Sequence, residues 1–227
     1  TRQERLRSRL PTGRADPTYA LDVVARRPAD GREGSAPGVP EEFARALAVM
    51  HAVVPPAEIT LEETPAPQRL APYAVACTAD LASPTDPSAD LATGRFVLLH
   101  DPAGHEAWSG TFRVVTYVRA ELDHDMATDP VLPSVGWAWL GEALDSLGAA
   151  FAAASGTVTR VTSESFGAIS GQPSSAQLEI RASWTPLDER YDAHLLAWCH
   201  LLRMVAGLPP LSPGVLTLPV RRQAPPR

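Results

Sequence analysis

The residues from Gln177 to Trp184 alternate without a break. Leu178, Ile180, Ala182 and Trp184 are apolar, and Gln177, Glu179, Arg181 and Ser183 between them are polar. A strand puts successive side chains on opposite faces, so this pattern predicts a strand with one face in a core and the other in water. Thr111 to Ala120 has the same period: Phe112, Val114, Val118 and Ala120 fall on one side, and Arg113, Val115, Tyr117 and Arg119 on the other. Parallel sheets are covered on both faces and read as unbroken apolar runs. One-sided strands therefore predict a largely antiparallel sheet with helices on a single face.

Around these two segments the period switches between strand and helix. Pro40-Glu41-Glu42 opens a helix, with proline suited to the first turn and the acids to the helix dipole. Phe43, Leu47, Met50, His51 and Val54 then recur at helical spacing until Pro55-Pro56 stops it. Ile59 and Leu61 alternate with Glu58, Thr60 and Glu62, and Tyr73, Val75 and Cys77 alternate in a second strand. Arg95 to His100 reads as a third strand, followed by turn chemistry in Asp101-Pro102-Ala103-Gly104. Pro133 to about Ala154 predicts a helix burying Trp137, Leu140, Leu144, Leu147 and Phe151. A strand from Thr157 to Phe166 comes next. A last helix, Leu187 to Ala206, buries Tyr191, Leu195, Trp198, Cys199 and Leu202 and ends at Gly207 and Pro209. The order α-β-β-β-β-α-β-β-α predicts a two-layer α+β domain of about six strands and three helices.

That domain is expected over residues 40–207. Residues 1–39 read as a basic arm and a Gly/Pro-rich linker, and residues 208–227 as an extended Pro-rich tail. The first forty residues carry eight arginines against five acids, whereas the remainder carries twelve against twenty-one. An acidic body opposes phosphate binding, so nucleic acid is a disfavoured partner, reachable only through the basic arm or an arginine face. No apolar run reaches the roughly 20 residues that span a bilayer, and the first forty lack the apolar core of a secretory signal. A cytoplasmic protein without membrane contact is expected. Two cysteines, Cys77 and Cys199, cannot build a disulfide framework. The chain has no lysine and no asparagine, residues with AT-rich codons, which points to a GC-rich, bacterial genome. The arginine excess follows from that codon pressure and carries no functional weight by itself.

The stretches Leu70-Ala71-Pro72-Tyr73-Ala74-Val75, Val97-Leu98-Leu99-His100-Asp101-Pro102, Val115-Thr116-Tyr117-Val118-Arg119-Ala120, Gly136-Trp137-Ala138-Trp139-Leu140 and Glu179-Ile180-Arg181-Ala182-Ser183-Trp184 resemble an actinobacterial family catalogued as domain of unknown function 3000. The resemblance covers most of residues 40–219. It implies a cytoplasmic actinobacterial protein and carries over no catalytic residue. The element order is also similar to that of the secretion-chaperone-like fold, whose members bind other proteins, an analogy at the level of fold alone.

Candidate chemistry is sparse. His100, Asp101, His105 and Glu106 supply imidazole and carboxylate within seven residues, the ligand types of a divalent-metal hydrolase, but the turn they occupy accounts for them. Asp123-His124-Asp125 reads as an acidic loop. His194 and His200 are six apart, the wrong spacing for a metal pair on one helical face, and His51 reads as a core or boundary residue. Without lysine a P-loop is impossible, and no serine has the flanking glycines of a nucleophile elbow. No metal or other cofactor is called for. What remains is a surface: Arg113, Tyr117, Arg119 and Arg181 on the polar sides of their strands, with Trp139 at a helix boundary. Arginine and aromatic residues favour recognition surfaces. The expected function is a non-enzymatic protein-binding or adaptor domain with an as yet unknown protein partner. A metal-dependent hydrolase and an RNA-associated accessory protein are the alternatives.

Overall fold

A computed structural model of the chain describes residues 38–83 and 90–209. The arm, the linker and nearly all of the tail lie outside the described residues. The body is one sheet of six strands: β1 (Ile59–Thr64), β2 (Tyr73–Ala82), β3 (Asp90–His105), β4 (Gly110–Leu122), β5 (Phe151–Ser163) and β6 (Ser175–Pro186). The order across the sheet is β1-β2-β3-β4-β6-β5, and every neighbouring pair is antiparallel. Three long helices, α1 (Glu41–His51), α3 (Leu132–Ser146) and α4 (Tyr191–Val205), cover one face. A four-residue helix α2 (His124–Ala127) precedes α3. The predicted α+β class, the element order and the one-sided layering are those of the molecule.

The alternating strands put Val75, Phe96, Leu98, Val114, Val118, Leu178, Ile180 and Trp184 under the helices. Two tryptophans key the helices to the sheet through glycines. Trp198 of α4 lies over Gly94 of β3, and Trp137 of α3 lies over Gly156 of β5. A Cβ at Gly156 would strike both Trp137 and the Arg181 carbonyl, so no larger residue fits without moving backbone. At the far end of α4, buried Arg203 pairs with Glu58, just before β1, and donates to the Pro209 carbonyl at 2.9 Å. That contact ties the helix end to the sheet edge.

Several boundaries differ from expectation: β3 runs Asp90–His105 against an expected Arg95–His100, α4 starts at Tyr191 rather than Leu187, and three further differences have clear physical causes. The helix predicted to reach Ala154 stops at Ser146, and Phe151–Ala154 belong to β5. Gly148, at φ 61°, takes the left-handed position. Gly148 N–H donates to Asp145 O and Ala149 N–H to Leu144 O, which closes the helix in a Schellman arrangement. The alanines beyond have high helix propensity, but pairing with β6 overrides it. Second, Asp101–Gly104 does not join two strands. It lies inside β3, where the register with β4 breaks between His100 and His105. The Asp101 carboxylate accepts the Ala103 N–H and Gly104 sits at φ 73°, so the turn chemistry is present but forms an irregularity within the strand. The reversal falls at Glu106–Ser109 instead. Third, α1 ends at His51, leaving His51 exposed beside Glu63 at 3.4 Å and Val54 in solvent.

Candidate functional site

On the helix-free face, strand register lines up side chains in rows. One row runs Thr78, Arg95, Tyr117, Arg181, Thr157; the next runs Asp80, Thr93, Arg119, Glu179, Thr159. Tyr117, Arg119 and Arg181 therefore come together, two strands wide. Glu179 organises them. Its Oε1 accepts the Tyr117 hydroxyl at 3.0 Å, and its Oε2 pairs with Arg181 Nη1 at 2.8 Å. The Arg181 guanidinium stands over the Tyr117 ring, 5.1 Å from its centroid, within cation–π range. Burial, and then the hydrogen bond to Glu179, hold the Tyr117 phenol above its ordinary pKa, so it stays a donor. Arg119 is exposed and lies directly opposite Glu179 in register.

Arg95, exposed in the same row, joins this group, and its Nη2 donates to the Pro65 carbonyl at 2.7 Å. The sequence carries the signal for it: Arg95, Val97 and Leu99 share one parity in the third strand, so Arg95 belongs on the polar side with Tyr117.

Two of the expected surface residues go elsewhere. Arg113 is on the helix-free face but buried, donating to Ala153 O, Thr185 Oγ1, Ser155 Oγ and Ser183 Oγ at 2.7–3.2 Å. It closes the irregularity in β5, where the register shifts between Ala152 and Ser155 and Ala153 takes φ 50°. Trp139 lies half-buried on α3 against the main core, on the other side of the sheet from Tyr117. Arg160 is turned away as well, donating to the Ala127 and Asp129 carbonyls.

On the side of Val97 and Val115 the helix-free face of β2, β3 and β4 is apolar and covered. Ala74, Ala76, Val97, Leu99 and Val115 form a small second cluster with Ala66, Ala71 and Trp108 packed on it. The polar rows, continued on their other side by Glu121 and Gln177, are the open part of this face.

The candidate metal residues do not converge. Among the described residues no three His, Cys, Asp or Glu side chains are placed to hold a metal ion. His100 is fully buried, with its ring stacked 4.2 Å from Phe112 and 5.7 Å from Phe43. Its Nδ1 lies 3.1 Å from Thr111 O, and its Nε2 lies 2.9 Å from Glu42 Oε1 but off the line of a well-formed hydrogen bond. Burial holds its pKa below the ordinary value, although Glu42 and the Thr111 carbonyl favour the charged form. His105 instead stacks on Trp108 at 5.0 Å and accepts the Ala107 N–H. Of Asp123-His124-Asp125, expected in a loop, Asp123 directly precedes α2 and His124 and Asp125 are its first two residues. Burial pushes the thiols of Cys77 and Cys199 up to about 12, which keeps both protonated and unreactive at neutral pH.

His194 is also fully buried. Its Nδ1 accepts the Trp184 indole N–H at 3.1 Å, which fixes the neutral tautomer with the proton on Nε2, 3.9 Å from Asp188. Burial lowers its pKa from 6.5 to about 4, outweighing the attraction of Asp188. Below pH 6.5 the unfolded chain takes up this proton while the folded one resists it, so stability falls from about pH 6.5 down to about 4. His194→Gln keeps an acceptor for Trp184 and removes the titration. Denaturant midpoints measured across that range are expected to fall less steeply in the variant, and equal slopes would show that His194 does not contribute.

Among the described residues no helix is long and apolar enough to cross a membrane. No curated protein and no solved structure matches the chain. One family model does, over residues 39–216, which takes in the whole sheet, all its helices and the rows of Tyr117, Arg119 and Arg181. That match covers well over half of the chain, and the protein is a member of the DUF3000 family, proteins of unknown function.

Proposed function

We propose that this domain is a non-enzymatic protein-binding or adaptor module that receives an acidic segment of a partner protein across the helix-free face. The observation that supports this most is the arrangement around Glu179. One carboxylate holds the Tyr117 hydroxyl and the Arg181 guanidinium together, so both side chains are ordered before any partner arrives. Preordered aromatic and arginine side chains lose little rotamer freedom on binding, which is how recognition residues gain affinity. Arg95, Arg119 and Arg181 outnumber the two carboxylates of these rows, Asp80 and Glu179, on a chain whose net charge is −6. Exposed Arg95 and Arg119 can meet the carboxylates of an acidic segment, and such charge complementarity sets register and encounter rate.

The test is selection from a displayed peptide library that spans acidic, neutral and basic sequences, with the full chain as bait. Acidic peptides are expected to be enriched. Arg119→Glu, at an exposed position, is expected to weaken the selected peptides about tenfold or more while leaving the melting temperature unchanged. Enrichment of acidic peptides that survives Arg119→Glu and Arg181→Gln alike would reject this surface.

A further inference from the structure

The sheet has two edges, and they differ in kind. β1 is six residues long and carries Glu62 and Glu63. Charged, short edges discourage pairing with another chain. β5 is thirteen residues long, pairs among the described residues with β6 alone, and is exposed along nearly its whole length on both faces. The register shift between Ala152 and Ser155 disrupts one end, which leaves Ser155–Ser163 as a regular edge. Those nine residues contain no proline and no acid. Five are β-branched: Thr157, Val158, Thr159, Val161 and Thr162. Their one charge, Arg160, is already turned back onto the carbonyls of Ala127 and Asp129. Such an edge is a template for strand addition.

We propose that β5 pairs antiparallel with β5 of a second copy of this chain, about a twofold axis through Thr159. The centre is set by the regular segment itself, because Thr159 is its midpoint, so this register uses all nine residues. The pairs it makes are Ser155 with Ser163, Gly156 with Thr162, Thr157 with Val161, Val158 with Arg160, and Thr159 with its own copy. Thr–Thr and Thr–β-branched pairs are favourable cross-strand neighbours. No like charges face each other, whereas a centre one residue further on would set Arg160 against Arg160. A shallow groove beside the edge, lined by Pro133, Ser134, Trp137, Gly156 and Val158, supplies apolar surface on the helix side. In-sheet pairing about such an axis keeps the helices of both copies on one side. The two Tyr117–Arg181 patches then lie on the same open face of one twelve-stranded sheet, a consequence that does not depend on what they bind.

Analytical ultracentrifugation of the full chain is expected to give twice the 24.2 kDa chain mass. Thr159→Lys alone and Thr159→Glu alone each place two like charges together at the axis, and each is expected to run as a monomer. Mixed in equal amounts, the two variants are expected to recover the dimer as a Lys–Glu heterodimer. Thr159 is exposed, so both variants keep the wild-type circular dichroism spectrum, which separates loss of pairing from loss of fold. A monomeric wild type at the highest soluble concentration overturns the proposal. So does a dimer that survives both single variants, since another surface then forms it. Open-ended polymers overturn it too, because they signify β5 pairing with β1 of the next copy.

Discussion

Gly94→Ala lowers the melting temperature by roughly 10 °C, the expectation for a cost of about 3 kcal/mol in a domain of this size. The reason is the space above β3. A Cβ at this position would sit 2.7 Å from Cζ2 of Trp198 and 2.8 Å from the Tyr117 carbonyl oxygen, closer than real Cβ atoms approach such neighbours. Neither can yield cheaply. Trp198 is fully buried, and its indole N–H points to that same Tyr117 carbonyl at 3.4 Å. The carbonyl belongs to β4, paired on both sides with β3 and β6. Adding one methyl group must therefore lift α4 or spread the central strands. Trp198→Phe removes the ring carbon that clashes, so Gly94→Ala is expected to cost less in a Trp198→Phe background than in the wild type. Additive effects in this double-mutant cycle would show that the tryptophan does not depend on the glycine.

How far such features are legible in the sequence depends on whether their cause is local. β4 and β6 are legible because period-two alternation runs through Phe112–Ala120 and Gln177–Trp184, and one face of each is under helices. The end of α3 is less so. Gly148 marks it, but Ala149, Ala150 and Ala152–Ala154 have helical propensity, and only the β6 partner, paired from Phe151 and again from Ser155, decides for strand. The tract Asp101–Gly104 has the local chemistry of a turn, and what sets it inside a strand is the resumption of pairing at His105 with Gly110. The site divides in the same way. Tyr117, Arg119 and Arg181 have the right parity, but their meeting requires β6 to lie beside β4. That order arises because the chain crosses over through α3 to the edge and then returns. Arg95 was within reach of parity alone. Arg113 has the parity of a surface residue too, and nothing near it in sequence announces that it is buried.

Arg113 is buried because of β5, about forty residues away in sequence. Its guanidinium reaches the one place where β5 leaves its ladder, at Ala153 with φ 50°, a conformation that costs a non-glycine residue energy. Four neutral oxygens receive it, from Ala153, Ser155, Ser183 and Thr185, and none of them is a carboxylate. Burial lowers its pKa, yet an arginine stays charged, so these bonds are charge-assisted and the site suffers if they are lost. Arg113→Ala is expected to destabilise by about 3 kcal/mol or more, through lost packing of the stem together with an orphaned Ala153 carbonyl. Arg113→Met retains most of the stem. Ser155 and Ser183, 3.3 Å apart, can bond each other, and Thr185 already donates to Trp108 O, so only the Ala153 carbonyl is left without a donor. The Met variant is therefore expected to lose about half as much as the Ala variant. Because the lost bonds anchor the entry to the regular edge Ser155–Ser163, hydrogen exchange there should quicken in both variants before exchange in β4 does. Equal acceleration across β4 and β5 would mean that Arg113 stabilises the sheet as a whole rather than setting the edge strand in place.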